Sequence, residues 1–185
     1  MPRLEAVRAS APTSRLIVDA NEGWTPQMYT DLAPHFLRLG VAMVEQPLPA
    51  GADDILAEID RPLPVAAAGG RSRSQPVAAD ESCHGAEGLA DLKGKYDLVN
   101  LKLDKTGGLT EAFRARARAN AQRLGFGLMV GCMVGSSLAM APAVLLAQGA
   151  NYSDLDGPLL LSQDRENPLH YDSLGVHPPE KALWG

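Results

Sequence analysis

The chain has 185 residues, of which 45% are apolar and 21% charged, an ordinary balance for one globular domain with a sizeable core. Its net charge of -5 argues against nucleic acid as a partner, because phosphate binding requires clustered Lys and Arg. Two cysteines favour a reducing compartment over a disulfide scaffold. No segment has the pattern of a signal peptide or a membrane span, so we expect a cytoplasmic protein without a membrane partner.

Short apolar runs alternate with helical patterns from early in the chain. Arg15–Asp19 is predicted to be a strand that ends in an acid, and Thr25–Pro26 is typical of a helix N-terminus. Apolar residues at helical spacing then lead to Gly40, where a helix C-cap is expected. The next strand, Val41–Glu45, also ends in an acid, and a short helix is expected near residues 53–59.

The second half of the chain repeats this alternation. A third strand, Pro76–Asp80, ends in an acid, and a fourth, Asp97–Lys102, ends in a lysine. Further along we expect a helix from Gly107 to about Leu124, a strand over Phe126–Val130, a helix from Ser137 to about Gln148 and a strand before Asp154. Strands that alternate with helices predict an α/β fold with βα units and a parallel sheet, whose functional groups gather at the C-terminal strand ends.

Two segments fall outside the alternation. Residues 66–75 are rich in Gly, Ser and Arg and lack an apolar period, so they are predicted to form a flexible insert. Residues 164–185 are rich in Pro, His and Gly. We expect them to be a C-terminal tail that packs on the domain built by residues 1–163.

Three acids end successive predicted strands: Asp19, Glu45 and Asp80. Carboxylates that converge without basic partners repel one another, and a bound cation removes that repulsion. Hard oxygen ligands favour Mg²⁺, with Mn²⁺ as the alternative, over zinc. The opposing interpretation, that each acid caps the following helix or faces solvent, suits one such residue better than three in successive units.

Lys102 ends the next strand and indicates a reaction class. A nearby cation disfavours the ammonium form of a lysine and lowers its pKa toward that of a useful base. A metal and a lysine base can together remove a proton next to a carboxylate and hold the resulting enediolate. The alternative role for Lys102 is a salt bridge to one of the acids, and Lys105 is the second candidate base.

Candidate substrate-binding residues follow the last two predicted strands. Asp154 and Asp156 lie on one side of a strand and suit a substrate ammonium group, although a turn with a helix-capping Asp explains their spacing equally well. The turn with Cys132 and Met133 enters a helix, and its backbone N–H groups are expected to receive a substrate carboxylate. No histidine stands in a context that predicts a catalytic partner for Cys132, so we do not expect a nucleophile there.

These segments together resemble the enolase superfamily, and within it the dipeptide epimerases of the muconate-lactonizing-enzyme-like subgroup. The similar segments, in chain order, are Val18–Asn21, Val44–Pro47, Ala79–Ser82, Asn100–Gly108, Asp154–Pro158 and Val176–Pro179. Asn21, in the first of them, is a secondary candidate for the site.

The resemblance implies a TIM-like (β/α) barrel with Mg²⁺ bound by the three strand-end acids. It implies that Lys102 is one acid/base on the substrate α-carbon, and that Asp154 and Asp156 engage the free ammonium group of a dipeptide. The implied reaction is epimerisation of an Ala-Glu-like dipeptide, by removal and return of a proton on opposite faces.

The family pattern also includes a capping domain and an earlier strand with a Lys-x-Lys motif that supplies the second base. Neither occurs in this sequence, so we expect a barrel truncated at its N-terminus, with about six βα units and two exposed sheet edges. The alternatives to a dipeptide epimerase are an inactive partial barrel that serves as an oligomeric or binding protein, an N-acyl amino acid racemase, and a one-base lyase. The exposed edges predict a homo-oligomer or a complementing chain.

Overall fold

The computed structural model describes residues 1–60, 75–121 and 124–185. Within these residues six strands form one sheet, ordered as they occur in the chain. The strands are β1 (Leu16–Asp19), β2 (Val41–Glu45), β3 (Val77–Ala79), β4 (Leu98–Lys102), β5 (Gly127–Gly131) and β6 (Tyr152–Ser153). The pairs β1–β2, β2–β3 and β5–β6 are parallel, as the alternation of strands and helices predicts.

Helices alternate with these strands along the chain. They are α1 (Pro2–Ser10), α2 (Pro26–Arg38), α3 (Leu103–Thr106), α4 (Leu109–Ala121) and α5 (Ser137–Leu146), with 3-10 helices at Asp54–Ala57, Leu89–Leu92 and Gly157–Leu160. An antiparallel hairpin of β7 (Tyr171–Asp172) and β8 (Gly175–Val176) follows in the C-terminal segment. None of the helices in the described residues is long and apolar enough to cross a membrane.

The described chain divides into two compact units. The first comprises Met1–Ser82 and Leu92–Leu98, and contains β1, β2 and β3. The second comprises Cys83–Asp91 and Val99–Gly185, and contains β5, β6, the helices α3 to α5 and the hairpin. β4 begins in the first unit and continues in the second.

Helix α2 of the first unit begins and ends as its sequence predicts. Thr25 is the N-cap, and its hydroxyl oxygen accepts a hydrogen bond from the backbone N–H of Met28 at 3.2 Å. Gly40, just beyond the helix, has a φ of 66°, a left-handed conformation that glycine adopts without strain. The helix buries Phe36, whose ring stacks on Trp24 with 5.4 Å between the ring centroids.

Several helices are shorter than the sequence predicts. The helix expected near residues 53–59 is only the 3-10 helix Asp54–Ala57, and α5 ends at Leu146 instead of about Gln148. Gly107 and Gly108 were expected to open a helix. Gly107 is the C-cap of α3, with a φ of 72°, and α4 begins at Leu109, directly after Gly108.

The expected flexible insert, residues 66–75, lies outside the described residues except for its last member. Gln75 is buried, and its amide nitrogen donates a hydrogen bond to the Val41 carbonyl at 3.0 Å. This last residue therefore belongs to the packed part of the first unit, and the predicted flexibility of residues 66–74 stays a prediction.

Asp164 in the second unit holds the N-terminus of α5. Its carboxylate accepts hydrogen bonds from the backbone N–H of Ser137, at 3.0 Å, and from the Ser137 hydroxyl. That hydroxyl also accepts a hydrogen bond from the backbone N–H of Leu169 at 2.9 Å. Partial burial alone would raise the pKa of Asp164, but the hydrogen bonds from Ser137 and Arg165 hold it below its ordinary value.

We expect Asp164→Ala to lower the free energy of unfolding by about 1 kcal/mol at neutral pH, because α5 loses its N-terminal cap. The pKa of Asp164 is lowered in the folded state. Its contribution is therefore present above the ordinary Asp pKa and is lost as the pH falls through the lowered value. Urea unfolding at several pH values measures this difference, with the exposed Glu166→Ala as the control. A difference that stays constant into strong acid would contradict the assignment.

Candidate active site

The three strand-end acids all belong to the first unit. Asp19 pairs in register with Glu45 across the parallel strands β1 and β2, and Asp80 directly follows β3. Glu45 is 4% exposed and Asp80 3% exposed, whereas Asp19 is exposed. One carboxylate oxygen of Asp19 accepts a hydrogen bond from the backbone N–H of Asn21 at 2.9 Å. The secondary candidate Asn21 thus contacts this cluster through its main chain.

Glu81 adds a fourth carboxylate that we did not expect at the site. Its Oε2 atom is buried and has no hydrogen-bond partner among the described residues. Burial raises the pKa of Glu81, its own backbone N–H lowers it, and the negative charges of Asp80, Asp19 and Glu22 raise it further. The net shift of the Glu81 pKa is upward, with burial as its largest cause and the neighbouring negative charges adding to it.

By the chemistry of their donor atoms, these side chains suit a hard divalent cation. Carboxylate oxygens are the ligands that Mg²⁺ and Mn²⁺ prefer in proteins. A buried oxygen without a partner, beside other negative charges, costs free energy that a bound cation would recover. Asp19, Glu45 and Asp80 would hold the ion, and Glu81 would lie beside it.

Gln46 fixes the chain that carries these acids. Its amide oxygen accepts hydrogen bonds from the backbone N–H groups of Asp80, at 2.9 Å, and Ser82, at 3.2 Å. Its amide nitrogen donates to the Leu48 carbonyl at 2.8 Å. Gln46 is fully buried, so a single side chain ties the end of β2 to the segment with Asp80 and Glu81.

Asp53 supports Gln46 through the hydroxyl groups of Ser82 and Tyr96. Its carboxylate, 2% exposed, accepts hydrogen bonds from Lys95 Nζ at 2.7 Å, the Tyr96 hydroxyl at 2.6 Å and the Ser82 hydroxyl at 2.5 Å. The Gln46 amide nitrogen lies 2.9 Å from both hydroxyl oxygens. Burial alone would raise the pKa of Asp53, but these hydrogen bonds and the charge of Lys95 lower it below its ordinary value.

Lys102 lies in the second unit, half-buried at the end of β4. A Cβ atom on Gly131, the last residue of β5, would stand 3.1 Å from Lys102 Cε and 2.8 Å from the side-chain amide of Asn100. Glycine at position 131 therefore leaves the space that the lysine stem occupies. The Lys102 ammonium group lowers the pKa of both Asp154 and Cys132, so these three residues share one electrostatic environment.

Asp154 and Asp156 form a pair of acidic side chains whose negative charges repel. Loss of water raises the pKa of Asp154, and the charge of Asp156 and a hydrogen bond with its side chain raise it further, against the lowering by Lys102. Burial likewise raises the pKa of the Cys132 thiol. The thiol therefore stays protonated at neutral pH, which agrees with the expectation that Cys132 is not a nucleophile.

Met133 and Lys105, the remaining candidates, lie beside this group. Met133 is 54% exposed, and its carbonyl oxygen would be 2.7 Å from a Cβ atom on Gly157, so that glycine permits a close main-chain approach. Lys105 Nζ donates to the Asn100 carbonyl at 2.9 Å and is held against β4. In the turn that contains Met133, the N–H of Ser137 already donates to Asp164.

Residues 1–182 match the family model described as "Enolase C-terminal domain-like". The chain belongs to this enolase family. The resemblance inferred from the strand-end motifs is therefore confirmed. The α/β barrel architecture that it implied is also confirmed, since the chain is similar throughout to solved structures of enolase-family proteins.

Three relatives of this enolase-family chain are informative. The N-acetyl-D-glutamate racemase of a Pseudoalteromonas species is 46% identical over 183 residues, 99% of this chain and 54% of the relative. An enolase family member from Agrobacterium tumefaciens, described as having homology to dipeptide epimerases and solved with sodium and L-Ala-L-Glu, is 51% identical with a TM-score of 0.88. The match covers 99% of this chain and 52% of that structure.

The third relative is the dipeptide epimerase of Methylococcus capsulatus, solved with Mg and the dipeptide L-Arg-D-Lys. It is 30% identical with a TM-score of 0.80, over 97% of this chain and 49% of that structure. This enolase-family chain therefore spans about half the length of the relatives it matches.

The hydrogen-bond network around Gln46 was not predicted from the sequence of this family member. Its hydrogen bonds join Asp53, Ser82, Lys95 and Tyr96 to partners 29 to 50 residues away in the chain. Gln46 and Ser82 do belong to segments that resemble the family: Gln46 directly follows Glu45, and Ser82 lies two residues after Asp80. That position was the one available signal, and it carried no information about their partners.

We expect Asp53→Asn to lower the free energy of unfolding by about 3 kcal/mol, because it leaves the charge of Lys95 buried without its closest partner. Asp54→Asn is a matched control. Asp54 also pairs with Lys95, at 3.0 Å, but its side chain is 96% exposed, so a loss below about 1 kcal/mol is expected. Urea unfolding measures both. Equal losses in the two variants would contradict a supporting role for Asp53.

Glu81→Gln removes one negative charge beside Asp80 and Asp19. We therefore expect it to raise the melting temperature of the metal-free chain and to reduce the further rise caused by Mg²⁺. Calorimetry in EDTA and in Mg²⁺ measures the two effects, with the exposed Glu87→Gln as the control. A lower melting temperature of Glu81→Gln in EDTA would show that repulsion does not dominate at this position.

Proposed function

We propose that this chain provides the metal-binding strand ends and one acid/base lysine of an isomerase that epimerises or racemises an amino-acid derivative at its α-carbon. The observation that carries the proposal is the position of Lys102. It ends β4, packs against Gly131 and shares its surroundings with the Asp154–Asp156 pair. The family relationship supports the same reaction class.

Lys102 would move the proton. A neutral lysine amine can take the α-proton of a bound substrate, and the resulting ammonium group can return it. The lysine stem lies beside Gly131, whose missing side chain leaves the space for it. A cation held by Asp19, Glu45 and Asp80, Mg²⁺ or Mn²⁺, would stabilise the negative charge that develops on the substrate carboxylate as the proton leaves.

We propose a dipeptide of the Ala-Glu type as the substrate. The negative charge of Asp156 raises the pKa of Asp154, and a cationic group bound between the two carboxylates would relieve this repulsion. The free ammonium group of a dipeptide is such a group. The alternative substrate is an N-acyl amino acid, which has no ammonium group. The 46% identity to an N-acetyl-D-glutamate racemase keeps this second substrate in the proposal.

Inversion at the α-carbon needs a second acid/base group on the opposite face of the substrate. Lys102 by itself accounts for exchange of the α-proton but not for inversion. We propose that the second group comes from another part of the whole protein, from a complementing chain or from a further copy in a homo-oligomer. Cys83 and Cys132 form no disulfide bond, and we propose a cytoplasmic location for this reaction.

We expect the purified protein with Mg²⁺ in D₂O to exchange the α-proton of the Glu residue in L-Ala-L-Glu, which NMR follows as loss of the α-proton signal. Lys102→Ala should slow this exchange by about 100-fold or more, because the proton-transfer group is lost. Lys105→Ala should retain most of the rate, since the Lys105 ammonium group is bound to the Asn100 carbonyl.

The same experiment with N-acetyl-D-glutamate distinguishes the two substrate classes, and EDTA tests the need for a cation. Exchange that is faster with N-acetyl-D-glutamate, and unaffected by changing Asp154 and Asp156 to Asn, would reject the dipeptide. No exchange of either substrate, with Mg²⁺ or with Mn²⁺, would reject acid/base activity of this chain and favour a binding role.

A further inference from the structure

The C-terminal hairpin brings together three metal-ligating side chains that the proposed function does not use. His170, Asp172 and His177 each present one ligand atom, and these atoms all lie within 4.8 Å of one another. His177 Nε2 lies 2.8 Å from Asp172 Oδ2, and His170 Nε2 lies 3.8 Å from the same oxygen. The two imidazole rings stand 4.8 Å apart between centroids.

The main chain of the hairpin fixes this arrangement. Tyr171 pairs with Val176 and Asp172 with Gly175, and the backbone N–H of His177 donates to the His170 carbonyl at 2.9 Å. Both histidines therefore start from the same end of the hairpin.

The second oxygen of Asp172 is already engaged within the turn. Asp172 Oδ1 accepts a hydrogen bond from the backbone N–H of Leu174 at 2.7 Å, so Oδ2 is the atom that faces the imidazoles. The carboxylate cannot rotate freely away from the two rings without losing that bond.

Small movements would bring these distances to those around a tetrahedral ion. Ligands about 2.0 to 2.1 Å from Zn²⁺ are separated by about 3.3 Å along the edges of a tetrahedron. The two observed separations from Asp172 Oδ2, 2.8 Å and 3.8 Å, lie on either side of that value. Modest rotation of the partly exposed rings would equalise them. A cavity of ≈ 320 Å³ is lined by both histidines and by Glu180, which leaves room for a further ligand.

We propose that His170, Asp172 and His177 form a binding site for a divalent transition-metal ion of the zinc class. Imidazole nitrogens favour Zn²⁺, Ni²⁺ and Cu²⁺ over Mg²⁺, so this site differs in ion preference from the strand-end carboxylates. The proposal does not depend on the isomerase function. A simple His–Asp ion pair is the competing interpretation, and it predicts no metal affinity.

An ion at this site would cross-link the two strands of the hairpin. Tyr171, between two of the ligands in sequence, donates its hydroxyl proton to the Leu155 carbonyl at 2.8 Å. Leu155 stands between Asp154 and Asp156. A bound metal would therefore stabilise the hydrogen bond between Tyr171 and Leu155, which lies next to Asp154 and Asp156. We expect metal binding to raise the melting temperature of the protein.

Titration of Zn²⁺ into the whole chain, in excess Mg²⁺ to saturate carboxylate sites, tests the proposal by calorimetry. We expect one ion per chain, and His170→Ala/His177→Ala should weaken binding by more than about tenfold. The sequence has four histidines, so His35→Ala/His84→Ala removes the same number of imidazoles at exposed positions and is the matched control. Asp172→Asn should weaken binding as well, with both imidazoles retained.

NMR of the histidine side chains gives a readout that needs no variant. Zn²⁺ should shift the ring resonances of two of the four histidines, and Co²⁺ should give the intense visible absorption of tetrahedral coordination with nitrogen ligands. Equal Zn²⁺ affinity of both double variants and the unaltered chain would overturn the proposal. So would ring shifts confined to His35 and His84, or the absence of binding at millimolar Zn²⁺.

Discussion

The repulsion among carboxylates at the strand ends is the constraint on which the first unit depends. Parallel strands that end at one edge bring Asp19, Glu45 and Asp80 to that edge, and Glu81 follows with a buried oxygen that lacks a partner. Like charges in partly buried positions oppose the fold that collects them. Such an arrangement requires that the rest of the structure fixes the main chain, and a bound cation would relieve the repulsion.

The network of Gln46 and Asp53 fixes that main chain. Gln46 holds the backbone N–H groups of Asp80 and Ser82 through one amide oxygen, and Asp53 gathers Ser82, Lys95 and Tyr96 around the other end of the same side chain. Every member has a partner, so burial of these polar groups is compensated. In the second unit, Gly131 has no side chain, and this leaves the space that the stem of Lys102 occupies.

Among the described residues, three kinds of polar cluster would therefore select three kinds of ligand chemistry. Hard carboxylates of the first unit suit Mg²⁺ or Mn²⁺, and the Asp154–Asp156 pair suits an organic cation. The imidazoles of His170 and His177 suit a zinc-class ion. Each selectivity follows from the charge and polarisability of the donor atoms, so metals and substrate need not compete for the same residues.

The alternation of strands and helices, the α2 cap and the positions of Asp19, Glu45, Asp80 and Lys102 at strand ends were predictable from the sequence. Each depends on a local pattern, such as Thr-Pro at a helix start or an apolar run followed by one polar residue, and local patterns can be read without knowledge of the fold. Helix boundaries near residues 53–59 and 107 were less predictable, because one-turn helices and left-handed glycines depend on packing as much as on propensity.

Tertiary structure alone decided which side chains support the site. Asp53 and Tyr96 are 43 residues apart, and neither stands in a motif, yet they share one buried hydrogen bond. Glu81 lies among the negative charges of the site. The pairing of β7 with β8 brings the histidines of the C-terminal segment together. Sequence determined which residues end the strands. The contacts between distant segments decided what holds those residues in place, because hydrogen-bond partners are chosen by distance in space and not along the chain.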